Sequence, residues 1–409
     1  MKTQQIEKQQ IIRYRYITLF QFIYHVLFKK IVMKKTIFVS TIAVAVTACA
    51  IFASCKKHDP AVTTDDKPNL DNSYNYTLPS TLSSLNTSNT VTNAGARLGR
   101  ALFYDKKLSK NNMVACASCH KQEYAFADNV SFSNGFNGGK TARNSMAIIN
   151  AIESQGFFWD NRTKKLEDMV LQPIRHQVEM GLEDSGFLID KLNATSYYPQ
   201  LFNEAFGTPS ISKEAIGKAL AQFIYSMFVA NSKADRANLF NGIGGGWNTN
   251  NGVLTAEEQS GANLFQNLGC ASCHSSINMR GWGDLGWGNI GLDSVYADKG
   301  LGALLSDPTQ DGVFKVPSLR NVGLTAPYMH DGRYATLEQV VEHYNSGIIY
   351  SANLSSQLVA KNPTTYQPLN QAKKFNLTDN DKKSLVAFLK TLTDYSLASD
   401  PKFSNPFKN

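Results

Sequence analysis

The five residues Cys116-Ala117-Ser118-Cys119-His120 recur letter for letter as Cys270-Ala271-Ser272-Cys273-His274, and no other feature constrains the fold as tightly. Cys-x-x-Cys-His is the attachment pattern of c-type haem. Its thiols form thioethers with the porphyrin vinyl groups, and its imidazole becomes the proximal iron ligand. A Cys₄ zinc ribbon would set its two Cys-x-x-Cys pairs closer together. A redox dithiol needs neither the following His nor a second copy. Two haems in 409 residues call for two domains.

Charge and cysteine usage narrow the class further. The net charge is +8, but residues 1–35 carry eight Lys or Arg against the single acid Glu7. From Cys55 onward 33 basic residues face 32 acidic ones, which leaves no electrostatic footprint for nucleic acid. Four of the six cysteines belong to the pentapeptides and the others are Cys49 and Cys55, so no pair remains for a structural disulfide. Met33-Lys34-Lys35 and the uncharged stretch Thr36 to Ser54 read as an export signal, with Met33 an alternative start. Phe52-Ala53-Ser54-Cys55 resembles a lipobox with Cys55 as the lipidated residue. Cys49 is the rival, and an ordinary cleaved signal or an uncleaved anchor is the alternative. These features place the mature chain in the periplasm, tethered to the membrane through Cys55.

The chain divides into a signal region 1–54, a polar tether 55–91, a first haem domain 92–245 and a second haem domain 246–400, whose C-terminal helix could pack back on the first. The tether is rich in Ser, Thr, Asn and Asp and lacks the apolar groups that would offset its ordering entropy. Thr92 to Phe103 predicts a short helix leading into the first pentapeptide. A Gly/Asn/Ser-rich loop runs from Ser131 to Lys140, and a helix is expected near Arg143-Asn144. Residues 163–172 and 212–230 carry apolar groups at helical spacing. Asn241 to Gly252 punctuates the two halves. Thr255 with Glu258 forms a capping box for a helix to about Asn267, so each half delivers a helix into its haem motif. Thr378 with Asp381 opens a last helix bearing Leu385, Val386, Phe388, Leu389 and Leu392. No stretch shows a convincing strand pattern, so the expected fold is mainly α.

Beyond the pentapeptides stand Phe158-Trp159-Asp160-Asn161-Arg162, Glu179-Met180-Gly181, Val316-Pro317-Ser318-Leu319-Arg320-Asn321 and Pro327-Tyr328-Met329-His330-Asp331-Gly332. With these motifs in this order, residues 92–395 resemble the bacterial diheme cytochrome c peroxidases and their relative MauG. The resemblance implies two cytochrome c-like domains, each with one covalently attached haem. The peroxidatic haem is held through Cys116, Cys119 and His120, and the electron-transfer haem through Cys270, Cys273 and His274. It implies reduction of hydrogen peroxide by electrons from a small donor, a c-type cytochrome or a cupredoxin, and it admits a homodimer.

The resemblance also assigns site residues. Glu179 matches the distal acid–base glutamate, although read alone it is a surface or N-capping carboxylate. Trp159 matches the tryptophan between the haems, a role compatible with a packed core indole. A loop histidine that blocks the peroxidatic iron in many members is replaced by Phe136, which implies an open site. His176 is a rival ligand, and Met169 stands where a second distal donor, Gln, is common. Thr336 predicts a helix with Leu337, Val340, Val341 and Tyr344 on one face and His343 pointing elsewhere. The resemblance, in which peroxidases commonly place Met at the position of Tyr344 and MauG and some close relatives place Tyr, implies Tyr344 as the sixth ligand of the second haem. Met329 and Met279 are the alternatives. The family's calcium ion would take Asn144 and the carbonyls of Thr325 and Pro327. The alternative functions are a MauG-like oxidation of residues on a partner protein, and a non-catalytic electron-transfer cytochrome in which Met113 or Met146 closes the first iron.

Overall fold

The computed structural model describes residues 67–78, 82, 88–154, 156–237, 239, 252–274 and 286–407. The export signal, Cys49, Cys55, Met279 and most of the Asn241–Gly252 boundary lie outside the described residues.

The architecture is a pair of similar helix crossings, each ending in a haem pentapeptide. Helix α1 (Asn93–Tyr104) is capped by Thr92, whose side chain accepts from the Gly95 N–H. It crosses α2 (Lys213–Ser226), which is capped by Ser212. Helix α3 (Ala256–Asn267) starts with the expected Thr255/Glu258 capping box. It crosses α5 (Asp379–Thr391), whose Thr378/Asp381 box is also formed. Between them in sequence lies α4 (Leu337–Glu342), capped by Thr336.

The two crossings are built alike. A Cβ at Gly99 would strike the Ala219 carbonyl, and one at Gly261 would strike the Ser384 carbonyl. Only glycine lets the helix backbones approach so closely. Four residues beyond each glycine a phenylalanine enters the core. Phe103 meets Phe223 at 5.4 Å between ring centres, and Phe265 meets Phe388 at 5.2 Å.

Two apolar cores follow from these crossings. One gathers Leu98, Leu102, Phe103, Phe126, Tyr198 and Phe223, and the other Ala262, Phe265, Val341, Phe388 and Leu392. Helix α5 stays in the second core. It is the tail after it that returns to the first, through Leu397 and Phe403.

Three local expectations change. Residues 163–172 form two short helices, Leu166–Met169 and Leu171–Arg175. No helix starts at Arg143-Asn144, because that segment makes tertiary bonds instead. The Asn144 N–H donates to the His330 carbonyl at 2.7 Å, and Arg143 grips Asp160 and Asp298. The stretch expected as a tether packs at its far end: Tyr76 is buried and its hydroxyl donates to the Lys402 carbonyl.

Among the described residues four short strands also appear. β1 (Trp287–Gly288) pairs with β2 (Phe314–Lys315), and β3 (Val359–Lys361) with β4 (Pro368–Ala372), both antiparallel. The first ribbon is too short to show alternation and the second is mostly exposed, so neither leaves a sequence signature. Among the described residues no helix is long and apolar enough to cross a membrane.

Candidate functional site

A single cavity of about 840 Å³ runs between the two halves. His120, Trp159, Met169, Glu179, Cys270, Cys273, His274, Met329 and Tyr344 all line it. Asn144, Thr325 and Pro327 line it too.

Each pentapeptide opens with a 3-10 turn, Cys116–Ser118 and Cys270–Ser272. Such a turn brings positions i and i+3 onto one side, so the two thiols of each pair project together. All four cysteines are free. Burial pushes the Cys116 thiol up to about 12, and the Cys119 and Cys270 thiols up to about 11.

The imidazoles are prepared alike. His120 Nδ1 lies 2.8 Å from the Phe126 carbonyl, which can only accept, so Nδ1 carries a proton, and the Met146 backbone also interacts with the ring. Burial lowers the His120 pKa. Burial drives His274 down to about 4 against the opposing pull of the Pro317 carbonyl. Both rings are held neutral with one nitrogen tied to the backbone, the arrangement that orients an imidazole for a metal.

Around Glu179 the cavity is mixed in polarity. Burial raises the Glu179 pKa, opposed by the charges of His176 and Arg162. His176 Nδ1 is 3.5 Å from Glu179 Oε1, and its side chain is more than half exposed. Arg162 is fixed by Asp160 at 2.9 Å and lies over the Phe158 ring at 3.5 Å. Phe136 does not line the cavity. Its N–H is shared between the Val178 and Glu179 carbonyls, and its ring packs over Gly181. The loop therefore leans on the strand of chain that carries Glu179. Met146 lines the cavity, whereas Met113 is exposed.

Trp159 is anchored through Nε1–H to the Asn144 carbonyl at 2.9 Å. Beside it His330 meets the indole edge-on and stacks on Phe314 with ring centres 3.9 Å apart.

At the other end, Tyr344 falls in a π-turn, His343–Gly347, that follows α4. Burial raises its phenol pKa, and the nearby Cys270 and Cys273 add to the rise. His343 faces away: its Nε2 is 2.9 Å from the Ile290 carbonyl and its Nδ1 is 3.1 Å from the Tyr334 hydroxyl.

A family model described as di-haem cytochrome c peroxidase matches residues 93–241. The cytochrome c551 peroxidase of Nitrosomonas europaea is 31% identical over 320 residues, spanning 76% of this chain and 84% of that protein. The chain belongs to the di-haem cytochrome c peroxidase family. Within that family, the methylamine utilization protein MauG of Methylorubrum extorquens is 29% identical over 317 residues, 75% of this chain and 80% of that one. A solved MauG-like protein associated with microbial copper homeostasis superposes with a TM-score of 0.68 at 31% identity, covering 82% of this chain and all of that one.

The residues present suit the two haems c that a di-haem peroxidase implies. Each pentapeptide carries a pair of unbridged thiols, and His120, His274, Cys270 and Cys273 face a largely apolar cavity. The expected calcium donors are less distinctive. Asn144 gives its Nδ2–H to the Val130 carbonyl at 3.0 Å, which turns Oδ1 to the opposite side of the amide. Among the described residues no group of three or more His, Cys, Asp or Glu converges to hold a metal.

Sequence reasoning missed Arg162, His330 and Lys315 as cavity residues. The first two sit inside motifs already singled out, so proximity to Trp159 and Met329 was the available signal. Lys315 carries no such mark.

Proposed function

We propose that this chain is a periplasmic peroxidase that reduces hydrogen peroxide to water with electrons from a small donor, a c-type cytochrome or a cupredoxin. The observation that carries the reading is the asymmetry across the cavity: a raised-pKa carboxyl, Glu179, serves the His120 end, and a buried phenol, Tyr344, stands by Cys270 and Cys273. Residues 92–245 and 246–400 form two cytochrome c-like domains, holding one haem through Cys116, Cys119 and His120 and one through Cys270, Cys273 and His274.

When bound, the haems would supply redox chemistry, the first, held through Cys116, Cys119 and His120, for peroxide reduction and the second, held through Cys270, Cys273 and His274, for electron relay. Glu179 takes the proton from one peroxide oxygen and returns it to the other, which leaves as water. Two electrons and two further protons complete the conversion of one peroxide into two waters. Burial raises the Glu179 pKa and so favours its proton-carrying form, and Arg162 steadies the negative charge it acquires. Trp159, anchored on the Asn144 carbonyl, carries electrons between the domains. Tyr344 would hold the second iron, and Phe136, which carries no donor atom, would leave the first accessible. Asn144 Oδ1 with the Thr325 and Pro327 carbonyls holds a calcium ion. Cys55 anchors the chain to the membrane through lipid.

A second reading is a MauG-like oxidation of residues on a partner protein. It is favoured by Tyr344 and by the likeness to the MauG-like protein associated with copper homeostasis. One set of measurements separates the two. The ferric holoprotein is expected to show one high-spin and one low-spin resonance, the low-spin one disappearing in Tyr344→Phe. Steady turnover of peroxide with reduced cytochrome c identifies the peroxidase. Two low-spin signals, or no turnover with any small donor, would defeat it.

A further inference from the structure

The ribbon of β1 and β2 presents donors that peroxide chemistry leaves without a use. Lys315 is half-buried in the cavity wall, and its Nζ donates to the Ser154 hydroxyl and the Gly156 carbonyl, both at 2.7 Å. Those acceptors are neutral. The neighbouring charge is a second cation, Lys164, and burial together with Lys164 pushes the Lys315 amine down to about 8. Among the described residues neither lysine makes an ion pair. Trp287 is the cross-strand partner of Lys315, so the two side chains leave the ribbon on one face. Its Nε1–H is buried and has no hydrogen-bond partner, and Lys164 Nζ stands 5.2 Å over its ring. All three residues line the cavity.

A buried N–H without an acceptor is costly, and a buried ammonium without a counter-charge more so. A half-buried lysine, an exposed lysine at the rim and an orphaned donor sharing one patch of the cavity wall suit an anion with several acceptor lone pairs. A carboxylate meets that need with charge-assisted hydrogen bonds.

We propose that Lys315, Lys164 and the Trp287 indole N–H form a carboxylate cradle whose occupant is a propionate of one of the two haems. The inference rests on the reading of two haems in this cavity. The cradle also governs Trp159, because the Lys315 N–H donates to the Trp159 carbonyl at 2.7 Å, so one strand seats both the acid and the aromatic ring. A fixed positive charge beside a porphyrin favours the reduced iron, so the cradle raises the potential of the haem it holds.

The test is a redox titration of the Lys315→Met holoprotein, with the high-spin and low-spin centres followed separately by paramagnetic resonance. Haem is first counted in the wild-type protein by pyridine haemochrome, and fewer than two per chain would defeat the two-haem reading itself. With two present, Lys315→Met is expected to lower the midpoint potential of one centre. Lys315→Arg should restore it, and Trp287→Phe should lower it by less. The centre that shifts identifies whose propionate is held. Unchanged potentials at both centres in Lys315→Met would overturn the cradle. Should that variant fail to retain haem, Trp287→Phe decides alone: it keeps the ring and removes the N–H, and an unchanged potential overturns the proposal.

Discussion

The two pentapeptides are identical in sequence and nearly so in local structure, yet the surroundings they face differ. Each forms a 3-10 turn downstream of a helix that crosses a partner at a glycine, directly after Asn267 in the second half but across a longer connection from Tyr104 in the first. Each histidine is tied to the backbone, His120 to Phe126 and Met146 and His274 to Pro317. Across the cavity stand Glu179 in one case and Tyr344 in the other. Attachment is therefore written in five residues, whereas what each centre does is written by residues brought in from elsewhere in the chain. A duplicated motif predicts two cofactors and says nothing about the division of labour between them.

The sharpest way to break the comparison is to erase its difference at one end. Glu179→Gln keeps the size of the side chain and removes its proton exchange. It is expected to cut kcat/KM for peroxide by ~10²–10⁴-fold, with the spectrum of the centre beside Tyr344 unchanged. A loss below tenfold in stopped-flow measurements would mean that the two ends do not differ in the way Glu179 suggests.

The similarity can be attacked through the cores. Phe388 is fully buried against Phe265, and Phe223 against Phe103. Truncating either to alanine should cost roughly 3–5 kcal/mol. In denaturant titrations followed by absorption of each centre, Phe388→Ala should shift the transition of its own centre first, and Phe223→Ala the other. A smaller effect, about 1–3 kcal/mol of overpacking, is expected for Gly99→Ala and Gly261→Ala. In each the new methyl group meets a backbone carbonyl that cannot swing aside. Similar losses at the two glycines would confirm that the crossings are equivalent, and a neutral result at one would separate them.

These crossings show how much of the fold was legible. The capping residues Thr92, Thr255, Thr336 and Thr378 mark helix starts, because a side-chain acceptor at that position satisfies a free N–H within a few residues. The shared Gly-x-x-Leu-Phe of Gly99–Phe103 and Gly261–Phe265 was legible too, once the glycine is read as a contact rather than a break. Tyr344 could be placed from its spacing on the face of Leu337 and Val341, and it does line the cavity, although through a π-turn that spacing does not foresee. The short ribbons and the Arg143 clamp on Asp160 and Asp298 were not legible, since their partners are far apart in sequence and no periodicity records them. Lys315 is the extreme case. Its meaning lies in having neutral hydrogen-bond acceptors and a second lysine close by, which a sequence does not state.

The smallest expected effect contrasts one glutamate from each half. Burial raises Glu179, so the folded state holds its proton more tightly than the unfolded chain does. At low pH both states are protonated and the difference vanishes. As pH climbs through the ordinary glutamate value, about 4.3, and on through the raised folded value, stability is lost. Glu179→Gln, which never ionises, should match the wild type at pH 4 and exceed it at pH 8. Glu258 runs the other way. Burial pushes its pKa up, but Lys233 at 2.6 Å and the Thr255 N–H reverse this, leaving the carboxyl lowered. Its contribution is present above the ordinary value and fades as pH falls through the lowered one. Glu258→Gln should therefore lose stability at pH 8, by no more than about 1 kcal/mol for a pair this near the surface, and little in strong acid. Urea midpoints of both variants at pH 4 and pH 8 would show opposite signs. Equal signs would mean that the carboxyl by the first haem motif is not poised for proton transfer, and the functional difference between the halves would lose its chemical basis.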